Sequence, residues 1–176
     1  MNSVNSLDMP VLGVPQIGTL GVIPALYETL QRAGSKAYLS SHHTPYITTD
    51  VNEDHGWGCG YRNIQMMLLP LRVHAAAGQL PYPQLQSQIP STPDISWIQK
   101  EIENGWLAGF DEEGRHRLQG VLSGTEKWLG ATEVSVLFSQ LGVEYANSIS
   151  NVFMYVEHIF LISHNLLDRE ESIHDC

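Results

Sequence analysis

Apolar residues recur every three or four positions along much of the chain, and each such stretch predicts a helix. Between Pro24 and Ala33 the recurring residues are Leu26, Tyr27 and Leu30, and Gly34 stands where a helix stop is expected. From Cys59 onward, Tyr61, Ile64, Leu68 and Leu71 share one face. Pro70 is expected to end or kink that helix after about three turns, because it lacks an N–H and its ring crowds the preceding turn. Thr92-Pro93-Asp94 predicts a helix start, with Thr92 as N-cap and Pro93 in the first turn. Ile95, Ile98, Ile102 and Trp106 then form the stripe, and Gly105 and Gly109 are expected to end it. A further helix is expected from Thr132, with Val134, Leu137, Phe138 and Leu141 facing a core and Gly142 as stop.

Strand signals are shorter. Lys36–Leu39 and Val143–Ala146 read as strands, while Val152–Leu161 fits a buried strand or a short helix equally well. Residues 40–56, 78–93 and 110–130 are polar or rich in Pro and Gly and are expected to be loops. Residues 1–20 mix Asn, Ser, Gly and Pro and are expected to form an irregular arm. Helices interleaved with short strands make the expected class α/β or α+β.

A chain of 176 residues with 43% hydrophobic and 16% charged residues can bury a core, and one domain is expected. The formal net charge of -10 opposes direct binding to nucleic acid or to anionic lipid and favours a basic partner. The two cysteines, Cys59 and Cys176, cannot make a disulfide framework, and no Cys-rich zinc pattern exists. The paired His42-His43 lacks further ligands at useful spacing, so no metal and no cofactor is expected. Met1–Leu12 lacks the pattern of a secretory signal, and the apolar run from Val152 to Ile162 is too short to cross a bilayer. A soluble protein of a reducing compartment, cytoplasmic or nuclear, is expected.

The chemistry concentrates at Asp54-His55-Gly56-Trp57-Gly58-Cys59-Gly60-Tyr61-Arg62-Asn63. Here a glycine-rich loop becomes a helix, and Cys59 stands at the junction. A thiolate attacks carbonyl carbon, a thiol hardly does, and unpaired N–H groups at a helix N-terminus stabilise the thiolate. The same N–H groups can hold the oxyanion of a tetrahedral intermediate. The glycines let a substrate backbone come close, and Trp57 and Gly58 are candidates to wall a narrow channel.

The stretch from Gly56 to Asn63, with Gln65, resembles the nucleophile motif of the ubiquitin-fold-modifier protease family, and the flanking residues are most similar to its deubiquitinase branch. Further blocks agree: Ile102-Glu103 with Gly105-Trp106, then Gly109-Phe110-Asp111, Leu118-Gln119-Gly120, and Gly124-Thr125-Glu126-Lys127-Trp128-Leu129-Gly130-Ala131 with Glu133. The resemblance covers about residues 20–145 and implies a papain-like cysteine protease fold, with the nucleophile at the start of a central helix packed on a sheet. Here fold and sheet are expected to be incomplete. Residues 21–146 would be the front part of the peptidase domain and 147–176 a divergent, loosely packed tail. The resemblance implies ubiquitin, polyubiquitin chains or a ubiquitin-like modifier as partner, cut after Gly-Gly by a Cys-His-Asp triad. It assigns Cys59 as nucleophile and Asp111 and Glu133 to the basic tail of the modifier, since carboxylates pair directionally with arginine. Tyr46 loosely matches an oxyanion donor.

The base is the open question. In papain-like enzymes the histidine lies about 130–150 residues after the cysteine, which from Cys59 falls beyond residue 176. Within the tail, His164 and Asp168 stand one helical turn apart and are the candidate base and its orienter. Three functions therefore compete: a deubiquitinase, a catalytically incomplete ubiquitin-binding fragment, and a protease specific for the ubiquitin-fold modifier.

Overall fold

The computed structural model describes residues 17–37 and 39–143. The expectations for residues 1–16 and 144–176, including the later strands and the pair His164 and Asp168, lie outside the described residues.

Among the described residues six helices follow one another: α1 (Val22–Arg32), α2 (Cys59–Ala76), α3 (Leu85–Gln88), α4 (Ile95–Leu107), α5 (Glu112–Arg117) and α6 (Ala131–Gln140). No strand occurs among the described residues, so the expected partial sheet under the central helix is not found there. Lys36, Ala37 and Leu39 are irregular rather than extended in a ladder. Among the described residues the one β-type pairing is an isolated antiparallel bridge between Thr19 and Tyr46, each donating its N–H to the other's carbonyl at 2.8 Å. A short apolar run carries no information about whether a partner strand lies beside it, and without one a strand has nothing to bond.

The chain divides into two units. The first comprises the described residues up to Thr48 together with Gln65–Pro93. Its buried apolar residues are Ile47, Met66, Leu68, Leu69, Ala75, Leu85 and Ile89. Of the two expected effects of Pro70, an end or a kink, the end does not occur: helix α2 runs on for six residues beyond it. Proline removes one intrahelical bond; Leu68, Leu69 and Pro70 itself are buried there, and that burial outweighs the loss. Gln65 donates to the carbonyl of Pro93 at 2.6 Å and Arg72 to that of Ile89 at 3.1 Å, tying the loop after α3 back to α2.

The second unit comprises Thr49–Ile64 and the described residues from Asp94 on. Here α4 packs on α6. Ile98, Ile102 and Trp106 from α4 and Val134, Val136, Leu137 and Phe138 from α6 are buried. The cap of α4 is Asp94, not Thr92: its Oδ1 accepts from Trp97 N–H at 2.7 Å. Gly105 lies within α4 instead of ending it. A Cβ there would press on the Val136 side chain and lie 3.2 Å from the Val136 carbonyl oxygen, so the glycine permits close helix contact. The cap of α6 is Gly130, two residues before the position expected from Thr132, and Glu133 accepts its N–H at 2.7 Å. Helix α5 arises inside the expected loop because Asp111 caps it, accepting from Gly114 N–H at 3.0 Å.

Candidate active site

Residues 51–58 form successive turns, and α2 begins at Cys59. The turns are organised by Asp54, a fully buried carboxylate. Arg62 grips it with two bonds, Nε to Oδ2 at 2.9 Å and Nη2 to Oδ1 at 3.0 Å. Its Oδ1 also accepts from Asp50 N–H at 2.6 Å, and its carbonyl accepts from Gly58 N–H at 2.8 Å. Burial by itself would raise the Asp54 pKa. The bonds from Arg62 and Asp50, with the guanidinium charge, overcome it and hold the carboxyl below the usual carboxylate range. The Asp54 side chain lies where a Cβ on Gly58 would point, so only glycine fits. Gly56 has φ +89°, a backbone that side chains rarely adopt.

Cys59 is half-buried and unoxidised at the mouth of α2. The first donor of the helical ladder is Arg62, whose N–H reaches Gly58 O at 3.0 Å. The N–H groups of Cys59, Gly60 and Tyr61 precede it, as at every helix start. Trp57 meets Tyr61 edge to face, with centroids 5.5 Å apart and planes at 81°. His55 is exposed in the turns.

The loop after α5 is fastened to this helix start. Tyr61 Oη donates to Lys127 O at 3.0 Å and receives Gln99 Nε2 at 3.3 Å. Burial pushes the Tyr61 pKa up; the Gln99 bond opposes this, while the charges of Glu133 and Glu103 add to it. Gln99 also donates to Thr125 O at 2.9 Å and accepts from Gly124 N–H at 3.2 Å. One turn along α4, Glu103 accepts the N–H groups of Leu122 and Ser123 at 2.6 and 2.7 Å and the Ser123 hydroxyl at 2.9 Å. Burial would raise the Glu103 pKa, but those bonds and the Lys100 charge keep it below the ordinary range.

The two carboxylates expected to meet a basic tail differ. Asp111 holds a left-handed backbone at φ 52°, and its Oδ2 is buried without a hydrogen-bond partner among the described residues. Glu133 is 1% exposed; its Oε2 caps α6, and its Oε1 accepts from Arg117 Nη2 at 3.0 Å. Arg117, Trp128 and Glu133 line an open cleft of about 380 Å³, with Trp128 exposed.

In the first unit, Tyr46 is 48% exposed, with its backbone engaged in the bridge to Thr19. His42 faces Tyr27, and His43 meets His74 edge to face at 5.6 Å. Burial, then the charges of His74 and His42, lowers the His43 pKa. His74 Nε2 lies 2.8 Å from Ser41 Oγ. The residues that sequence reasoning missed are Asp54, Arg62, Gln99 and Glu103 as fasteners of the two loops. Asp54 and Arg62 were inside the motif, but nothing in their spacing says that they pair.

A nucleophile-type cysteine at a helix mouth, with two braced loops in the same unit, is the arrangement of a cysteine peptidase. The sequence pattern of peptidase family C78 matches residues 33–158, and the chain belongs to this family of cysteine peptidases, whose fold is papain-like. It is 38% identical over 129 residues to the zinc finger-containing ubiquitin peptidase 1 of Homo sapiens, covering 72% of this chain and 21% of that protein. The corresponding Mus musculus protein is 34% identical over 132 residues, with the same coverage. The ubiquitin carboxyl-terminal hydrolase mug105 of Schizosaccharomyces pombe is 36% identical over 127 residues, 65% of this chain and 48% of that protein. The chain thus spans about a fifth of the zinc-finger peptidases and about half of the yeast hydrolase. Among the described residues no helix is long and apolar enough to cross a membrane.

Proposed function

We propose that the chain is a ubiquitin-directed cysteine peptidase domain in which Cys59 attacks the carbonyl after the C-terminal Gly-Gly of ubiquitin. The observation that carries this is the position of Cys59 as first residue of α2, within the segment that matches the peptidase family. Sγ adds to the carbonyl carbon, and the resulting oxyanion is held by the N–H groups at the start of α2. Collapse expels the amine, which takes up a proton, and leaves a thioester; water then releases ubiquitin and restores the thiol. The proton carrier is a histidine, for which His164 with Asp168 is the pair this sequence offers.

Trp57 and Gly58 border the approach to Cys59. Asp111 offers an Oδ2 with no hydrogen-bond partner among the described residues; because that oxygen is buried, a substrate guanidinium reaches it only by opening the turn around it. Glu133 already holds Arg117, so a substrate guanidinium reaches it only by displacing that side chain.

The test is a ubiquitin probe with a C-terminal electrophile, run beside the same probe built on the ubiquitin-fold modifier. Labelling at Cys59 by the ubiquitin probe, abolished by Cys59→Ala, is the expected result. Preference for the other probe assigns the chain to the modifier instead. Ubiquitin binding without labelling, weakened by Asp111→Arg, makes it a binding fragment. Neither labelling nor binding of folded protein ends the proposal.

A further inference from the structure

We propose that the Asp54–Arg62 pair is a positioning device that holds Cys59 in its reactive orientation, an inference that rests on taking Cys59 as the nucleophile. The pair straddles that residue: Asp54 lies five positions before it in the turns, and Arg62 lies three positions after it in the helix. Three links close a ring around the junction. The Asp54 carbonyl accepts from Gly58 N–H at 2.8 Å, the Gly58 carbonyl accepts from Arg62 N–H at 3.0 Å, and the Arg62 guanidinium returns to both oxygens of the Asp54 carboxylate. Cys59 lies in the stretch this ring encloses. Its backbone cannot turn without breaking either a helical bond or a bond between charges.

The pair is suited to orientation rather than to generic adhesion. A bidentate guanidinium–carboxylate contact fixes both direction and distance, whereas a lysine supplies only a point charge. Both side chains are shielded, at 15% and 1% exposure, so solvent does not loosen the contact. Asp54 is anchored from a further side by Asp50 N–H at 2.6 Å, and Gly58 carries no Cβ that would push the carboxylate away. Glu53, at 3.9 Å from Arg62 and 76% exposed, is too distant and too wet to substitute for Asp54. The fastening is distinct from the α4–α6 packing, which involves neither residue.

The test compares wild type, Arg62→Lys and Asp54→Asn in two reactions at Cys59: alkylation by iodoacetamide, mapped by peptide so that Cys176 is counted separately, and capture by the ubiquitin electrophile, resolved into its first-order rate and its half-saturating concentration. Circular dichroism and melting establish that each variant is folded, and Arg62→Lys, which keeps the charge, serves if Asp54→Asn does not fold. The expected result is a fall of about 10- to 100-fold in both Cys59 rates, with little change in half-saturation. An unchanged or faster alkylation rate in the folded variants overturns the proposal, and so does a loss seen wholly in half-saturation. If wild type ignores the ubiquitin probe, Cys59 is not the nucleophile of that reaction; the alkylation comparison still decides whether the pair orients the thiol.

Discussion

Helix α1 repeats Leu26, Tyr27 and Leu30 along one face, and helix α4 repeats Ile95, Ile98, Ile102 and Trp106. By pattern they are the same kind of object. In the structure, α1 buries none of its residues, while α4 buries Ile98, Gln99, Ile102, Gly105 and Trp106. What stabilises α1 is local: the Thr29 hydroxyl on the Ala25 carbonyl and the exposed Arg32–Glu28 pair at 3.0 Å. What stabilises α4 is its neighbour α6 and the loop sewn to it by Gln99 and Glu103. The difference teaches that an apolar stripe specifies a face, not what covers it. It also shows why the proposed chemistry depends on the second unit: the same helix that packs the core through Ile98, Ile102 and Trp106 braces, through Gln99 and Glu103, the loop that meets the start of α2.

Mutations sharpen this contrast. Trp106→Ala removes a side chain only 2% exposed from the C-terminal end of the α4 stripe. It should cost about 3–5 kcal/mol in chemical denaturation. Glu103→Gln, which weakens the acceptor for two backbone N–H groups, should cost about 2–3 kcal/mol at neutral pH. Its effect depends on pH with a definite sign. Because the folded Glu103 pKa lies below the ordinary value, its contribution is complete above the unfolded pKa and disappears as pH falls through the folded one. Denaturation curves at descending pH should therefore show wild type and Glu103→Gln converging, and curves that stay parallel would refute the assignment.

Gly105→Ala forces a methyl against Val136 and should cost about 1–3 kcal/mol despite the better helix propensity of alanine. In α1 the matching change, Leu26→Ala, trims a half-buried side chain. It should cost about 1 kcal/mol or less. A loss as large as that of Trp106→Ala would break the comparison between the two helices. Arg32→Ala, which removes an exposed pair, should change the melting curve least, by about 0.3–0.5 kcal/mol, and less still in high salt.

Much of the helical framework was legible in the chain. The periodic residues mark α1, α2, α4 and α6, and Gly142, at φ +70°, stands just past the end of α6 as expected. The glycine spacing and the stripe from Tyr61 to Leu68 place Cys59 at a helix start without any coordinates. The failures have a common cause. Pro70 does not end α2, one of its two expected effects, because the burial around it carries the helix through. Thr92 and Thr132 have the chemistry of caps, but Asp94 and Gly130 fill the cap role. Helix α5 hid in a polar stretch because six residues show no period. Lys36–Leu39 looked like a strand, and no ladder forms at its described residues.

The sequence by itself determined where Cys59, the proposed nucleophile, lies along the chain, which faces are apolar, and to which family the motif belongs. Those properties are local, set by backbone sterics, side-chain spacing and residue type within a few turns. Tertiary structure alone decided that Asp54 would grip Arg62, that Gln99 would reach Tyr61 across 38 positions, and that Glu133 would be closed in by Arg117 rather than left open. Burial makes these choices, because a polar group removed from water must bond to whatever the fold brings beside it, and no spacing rule names that neighbour.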